Sequence, residues 1–218
     1  MVILGLTGSI GMGKTVAAAT FRRLGVPVHD ADAAVHDLMA PAGAAFAAIA
    51  ERFPDAVVNG LIDRRRLGDR VFGDANSLKA LEAILHPLVR QREQVFLRRA
   101  SGNRAPLVVL DIPLLLETGG DSRVDAIVVV SAPAFVQRHR VLARPGMSEG
   151  KFRDILAKQV PDRVKRRRAD FIVKSGNGRL ESLRTIRKII AETRTWEGRH
   201  WPPLPPAIQR IRCLGLTR

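Results

Sequence analysis

The chain has 218 residues, enough for one α/β core with insertions and a sizeable buried interior. With 46% apolar residues and a mean hydropathy near zero it reads as a soluble globular protein. No apolar run reaches the ~18 residues of a membrane span, and the single cysteine, Cys213, excludes an internal disulfide or a multi-cysteine metal site. The net charge of +15 fits a nucleic acid, a polyphosphorylated small molecule or simply a solvated arginine-rich face. With aromatics at 5% and no tyrosine, a base-stacking surface has little to build on.

The first element is the apolar run Val2-Ile3-Leu4-Gly5-Leu6, short enough for one buried strand. It lacks the basic stretch of a secretory signal, so a cytoplasmic protein is expected. Gly8-Ser9-Ile10-Gly11-Met12-Gly13-Lys14-Thr15 follows and fits G-x-x-x-x-G-K-S/T. Residues 16–24 then read as helix, closed by Gly25. A glycine-rich turn between strand and helix lets backbone N–H groups approach an anion, and the helix N-terminus favours negative charge. Phosphate binding is expected from Gly8, Ser9, Ile10, Gly11, Met12 and Gly13. Lys14 would reach the β- and γ-phosphates, and the Thr15 hydroxyl would hold Mg²⁺.

Residues 26–29 form a second short strand that ends in Asp30-Ala31-Asp32. Ligands of open α/β sheets lie at the carboxyl ends of strands, so the phosphate loop and this acidic pair are expected to face one crevice. One carboxylate is expected to cap the helix that Ala33-Ala34-Val35 begins. The other is then free to hold Mg²⁺ through water or to take a proton from an attacking hydroxyl. From about Gly43 to Ala100 only helical patterns are read: residues 44–50, then Leu67, Val71 and Phe72, then Leu78, Leu81, Ile84 and Leu85. A kink or break is expected at Pro87. His86, taken alone, is more readily structural than a ligand. A helical insertion of this kind suits an acceptor-binding subdomain.

Residues 107–111 are a continuous apolar run ending in Asp111, the pattern of a buried parallel strand that delivers an acid to a nucleotide site. The apolar residues 112–116 after it could line a pocket. Residues 126–130 are a fourth strand. Gln137, Arg140 and Arg144 then fall at spacings of three and four, hence on one helix face, before Pro145-Gly146 breaks the helix and Ser148-Glu149 starts the next. Residues 137–168 carry eleven Arg or Lys against three acids. That segment is either a phosphate-closing lid or a solvated basic face. Residues 170–173 are a fifth strand, Lys174 to Gly178 a turn, and Leu180, Leu183, Ile186 and Ile190 mark a closing amphipathic helix. The proline-rich tail, Trp201-Pro202-Pro203-Leu204-Pro205-Pro206, is expected to be extended.

Over residues 1 to about 190 the sequence resembles the dephospho-CoA kinase family. The residues that carry the resemblance are the phosphate loop, Asp30-Ala31-Asp32 with His36, Asp63-Arg64 before Leu67, and His86-Pro87. Asp111-Ile112-Pro113-Leu114-Leu115 with Glu117, the Gln137, Arg140 and Arg144 series, Gln159, and Ala169-Asp170-Phe171 complete them. The resemblance implies an α/β fold: a P-loop NTPase core with a five-stranded parallel sheet flanked by helices, made of residues 1–32, 103–136 and 169–195. It also implies a helical CoA domain at 33–102, a lid at 137–168 and a C-terminal tail at 196–218. The implied reaction moves the γ-phosphoryl group of ATP, with Mg²⁺, to the ribose 3′-hydroxyl of dephospho-CoA, the final step of coenzyme A biosynthesis. A monomer or small homo-oligomer with no nucleic-acid or membrane partner is expected. By the same resemblance Asp32 would be the general base, with Lys14, Arg140 and Arg144 also catalytic. Gly176 would join the loop in binding the nucleotide. Asp32, His36, Arg64, His86, Asp111, Leu114, Leu115 and Gln159 would bind substrate, and Thr15 and Asp111 the metal.

The sequence departs from the family pattern in three places. Met12 stands where a small residue is usual, Leu116 where phenylalanine is usual, and Lys174-Ser175 where an asparagine near the adenine is common. The rival readings are a nucleoside or nucleoside-monophosphate kinase and a nucleotide-controlled switch. The Asn-Lys-x-Asp guanine motif normal in a GTPase is absent, and a shikimate-type or nucleotide kinase would not need Asp111-Ile112-Pro113-Leu114-Leu115.

Overall fold

A computed structural model describes residues 1–71 and 73–202. Phe72, Cys213 and the proline-rich stretch beyond Pro202 lie outside the described residues. In chain order, β1 (Val2–Thr7) leads into α1 (Lys14–Arg23), β2 (Val28–Asp30) and α2 (Ala31–Met39). Then come α3 (Phe46–Arg52), β3 (Val57–Val58), β4 (Leu61–Ile62), α4 (Arg64–Val71) and α5 (Ala75–Gly102). The chain continues through β5 (Leu107–Asp111), β6 (Ala126–Ser131), α6 (Ala134–Leu142), α7 (Glu149–Ala157) and α8 (Asp162–Arg168) to β7 (Phe171–Lys174) and α9 (Arg179–Thr193). Met1–His29 with the chain from Ala100 onward forms one compact unit, and Asp30–Arg99 the other. No helix among the described residues is long and apolar enough to cross a membrane.

The first unit is built on the five-stranded parallel sheet that the sequence implied, in the order β2-β5-β1-β6-β7. Val2 pairs with Leu107, Leu4 with Ala126 and Val128 with Phe171, all in parallel. Every residue of β1 and β5 is buried, because helices cover both faces of a parallel sheet and the strand need not alternate with polar residues. Val2, Leu4 and Leu6 meet Ala17, Ala18 and Phe21 of α1 and Ile186, Ile189 and Ile190 of α9 on one face. On the other, a Leu115 methyl lies 2.7 Å from where a Cβ on Gly5 would stand, so this contact needs glycine. Leu180 is exposed, and the buried apolar residues of α9 are the three isoleucines.

The second unit has its own core of Leu38, Ile49, Phe53 and Leu67, with Leu81, Ile84, Leu85, Leu88 and Val89 packed against it. It corrects two expectations, the helix-only pattern and a break at Pro87. Residues 57–62 form an antiparallel hairpin whose two turn residues, Asn59 and Gly60, both have positive φ (50° and 73°). Asn-Gly between β-branched and aliphatic residues is the strongest short hairpin signal, and here it outweighs the helical surroundings. Nor does Pro87 break α5, which runs on through it. Ile84, Leu85, Leu88 and Val89, on both sides of the proline, pack on one core and hold the helix. The hydrogen bond that Pro87 cannot donate would have gone to Ala83, an exposed residue whose carbonyl water can serve.

Candidate active site

The loop between β1 and α1 turns on two left-handed glycines, Gly11 (φ 76°) and Gly13 (φ 91°). A Cβ at Gly11 would fall 2.5 Å from Val141 Cγ2, and one at Gly13 would fall 3.0 Å from Ser175 Oγ. Dihedral and neighbour alike demand glycine there. Gly13 caps α1 without a side chain, and no acid lies in the first turn, so the positive end of the helix is left for an anion. The loop is also gripped from outside. Ile10 N–H donates to Gln159 Oε1 at 3.1 Å, and Gln137 Nε2 donates to the Ile10 carbonyl at 2.8 Å. Met12 is buried, and its Sδ accepts from the Ala132 N–H at 3.1 Å.

Lys14 Nζ lies 2.7 Å from Asp111 Oδ1, and the aspartate is 3% exposed. Asp111 reaches this place because it ends β5 opposite Leu6 of β1. Thr15 follows Lys14 in the first turn of α1 and is exposed. A hydroxyl and a carboxylate are the hard oxygen donors that suit Mg²⁺, which takes one or two protein oxygens and completes its shell with water and phosphate. The described residues hold no cluster of three or more His, Cys, Asp or Glu able to bind a metal by themselves. Thr7 Oγ1 donates to the Pro113 carbonyl at 2.9 Å and ties down the segment after Asp111. In that segment the sequence reading needs a correction. Leu114 is exposed, but Leu115 is fully buried under Gly5 and Gly120, so it is core rather than pocket lining.

A second correction concerns Arg144. α6 ends at Leu142, and Arg144 sits in the bend beyond it rather than on one helical face with Arg140. Pro145 is the reason, since the residue before a proline is driven out of the helical region. Arg144 is exposed and its side chain has no hydrogen bond or ion pair among the described residues. Arg140 is held fast. Its Nη1 donates to Ser175 Oγ at 2.9 Å and more weakly to the Gly11 carbonyl at 3.5 Å, while Nη2 donates to the Ser175 carbonyl at 2.8 Å. Glu117 Oε1 accepts from Val160 N–H at 2.9 Å and lies 2.7 Å from Nζ of the wholly buried Lys165. Beside these, at the carboxyl ends of β6 and β7, is a cavity of about 260 Å³. Ala132, Pro133, Arg166, Ile172, Lys174, Gly176 and Asn177 line it. Sequence spacing gave no sign of Arg166 here, of Ser175 against the loop, or of the two glutamines on Ile10, because each partner lies far away in the chain.

In the second unit, Asp30 is the N-cap of α2, its Oδ1 accepting from Ala33 N–H at 3.0 Å. Asp32 lies in the first turn, exposed and without a hydrogen-bond partner among the described residues. His36 follows one turn later, and Arg64 Nη1 approaches its Nδ1 at 3.5 Å. Arginine can only donate, so a hydrogen bond here requires an unprotonated Nδ1. Asp63 accepts from the Arg65 and Arg66 N–H groups at 2.9 and 3.1 Å and caps the start of α4. These bonds, that of Arg66 foremost, hold its carboxyl below the usual range. His86 is exposed on α5 and meets neither His36 nor Arg64 in a hydrogen bond.

Residues 2–181 match the family model of dephospho-CoA kinase. The dephospho-CoA kinase of Mesorhizobium japonicum is 56% identical over 199 residues, covering 91% of this chain and 100% of that protein. That of Paramagnetospirillum magneticum is 62% identical over 166 residues, 76% of this chain and 78% of its own. Among solved structures, TT1252 from Thermus thermophilus is similar with a TM-score of 0.78 and 38% identity, covering 88% of this chain and 97% of that one. A dephospho-CoA kinase from Campylobacter jejuni shares the fold with a TM-score of 0.58 at 23% identity, covering 88% of this chain and 96% of its own.

Proposed function

Because the chain belongs to the dephospho-CoA kinase family, we propose a division of labour among its residues for the reaction of that family. The enzyme transfers the γ-phosphoryl group of ATP to dephospho-CoA, giving coenzyme A and ADP. In the proposed mechanism the loop N–H groups from Gly8 to Gly13 and the open end of α1 receive the β- and γ-phosphates. Lys14, now paired with Asp111, turns one donor to the moving charge. Thr15 and Asp111 would hold Mg²⁺, which would supply charge neutralisation for the phosphates. Asp32 accepts a hydrogen bond from the ribose 3′-hydroxyl and takes its proton. The 3′-oxygen forms the new bond to the γ-phosphorus as the bond to the bridging oxygen breaks, and ADP leaves with that electron pair. Arg140 and Arg144 meet the charge on the transferred group.

The observation that carries this assignment is the match over residues 2–181, within which loop, Lys14 and Asp111 meet at one strand end. We further propose that the cavity at Gly176 takes the adenine, and that residues 30–99, with His36, Arg64 and His86, bind the acceptor. Residues 137–168 serve as lid in this proposal, Gln159 acting through the loop. The enzyme would work in the cytoplasm, as a monomer or a small homo-oligomer. The test is ADP release with dephospho-CoA, adenosine, AMP, CMP or shikimate as acceptor. Dephospho-CoA is the expected sole good acceptor; faster turnover with a nucleoside monophosphate would overturn the reading.

A further inference from the structure

Ser175 is where sheet, phosphate loop and Arg140 meet. Its N–H donates to the Ser131 carbonyl at 2.8 Å, prolonging the β6–β7 pairing, so its backbone is fixed by the sheet. Its side chain packs on Gly13, one residue before Lys14. The hydroxyl lies 2.5 Å from the Met12 carbonyl and 2.9 Å from Arg140 Nη1. A carbonyl can only accept and a guanidinium can only donate, so the proton directions are forced: Ser175 donates to Met12 and accepts from Arg140.

Arginine has five N–H donors in a rigid fork. The end-on pair of Arg140, one N–H from each Nη, is occupied by the hydroxyl and carbonyl of Ser175, and the second Nη1 N–H points to Gly11. Nε–H and the second Nη2 N–H have no partner among the described residues, and together they form the side-on fork that fits two oxygens of one phosphoryl group. We propose that Ser175 is a positioning residue: it holds the end-on edge of Arg140 against the phosphate loop so that the side-on edge is presented to the phosphoryl group in transfer. The proposal rests on Arg140 being a phosphate-contacting arginine, and it makes the serine of this chain part of the catalytic geometry rather than a turn residue.

Steady-state kinetics with both substrates varied, on Ser175→Ala, Ser175→Thr, Arg140→Ala and the Ser175→Ala/Arg140→Ala double variant, test it. Losing one hydrogen bond to a charged group whose pose matters in the transition state should lower kcat roughly tenfold or more. In Ser175→Ala this loss should come with KM for ATP and dephospho-CoA changed by no more than about twofold. Ser175→Thr keeps the hydroxyl and should keep most of the turnover. The double variant should be no slower than Arg140→Ala, because the serine acts through the arginine. If Ser175→Ala does not hold its fold, Ser175→Cys, of similar size but a weak donor and acceptor, should show the same loss. Full kcat in Ser175→Ala or Ser175→Cys while Arg140→Ala is slow overturns the proposal alone, as do losses that multiply in the double variant. Full kcat in Arg140→Ala overturns the role of Arg140 and the proposal with it.

Discussion

Asp30 and Asp32 are separated by one alanine, yet only Asp30 is engaged by the fold, as the cap of α2. Asp32 is exposed in the first turn, and its carboxylate has no hydrogen-bond partner among the described residues. A ribose hydroxyl is a poor nucleophile, and a carboxylate that orients it and takes its proton typically contributes ~10²- to 10⁴-fold. Asp32→Asn should therefore lose that much kcat while its ATP affinity and melting temperature stay near wild type. Unchanged turnover would move the base elsewhere, with Asp111 the next candidate. Met12 and Leu115 teach a different lesson at this scale. Both lie in motifs that suggest ligand contact, yet both side chains are buried, that of Met12 against Ala132 and that of Leu115 against Gly5.

At the scale of the element, caps and turns decide where chains of similar composition start and stop. Removing the cap in Asp30→Ala should cost about 1 kcal/mol of stability, or roughly 2–4 °C in Tm for a chain of this size. kcat should be kept, the reverse of the Asp32 variant, and thermal melts beside turnover separate the two roles. A lower kcat with an unchanged Tm would exchange them. Elsewhere the local signals compete. Asn59-Gly60 wins a hairpin from a helical neighbourhood because both residues tolerate positive φ. Pro87 loses to the packing of Ile84, Leu85, Leu88 and Val89. Pro145, with Gly146 after it, ends α6 early and leaves Arg144 in a bend.

For the molecule as a whole, the basic excursion at 137–168 is partly structural. Arg138 pairs with Glu149, Arg168 with Asp121 and Lys165 with Glu117, so these three basic side chains are engaged by acids rather than waiting for a ligand. The Glu117–Lys165 pair joins the end of the excursion to the segment after β5. Taking away one partner of a buried ion pair leaves an uncompensated charge, so Glu117→Gln should lose about 3–5 kcal/mol. Glu117→Gln/Lys165→Met should recover most of it. Denaturant titration measures both, and a wild-type midpoint for Glu117→Gln would show that the pair does not hold the segment.

The sequence by itself determined the parallel sheet, the phosphate loop, the cap at residues 30–32 as one of two choices, and the family. Each is written in neighbouring residues: continuous apolar runs for strands buried on both faces, glycines where φ must be positive, a lysine and threonine at fixed offsets from them. Asp111 was legible for the same reason, as the last residue of such a run. Tertiary structure alone decided the partners. Arg140 meets a serine 35 residues on, Ile10 a glutamine 149 residues on, and Lys165 a glutamate that precedes β6 in the chain. A side chain finds such partners only when strands and helices have packed, and periodicity carries no record of which surface that packing will bring against it.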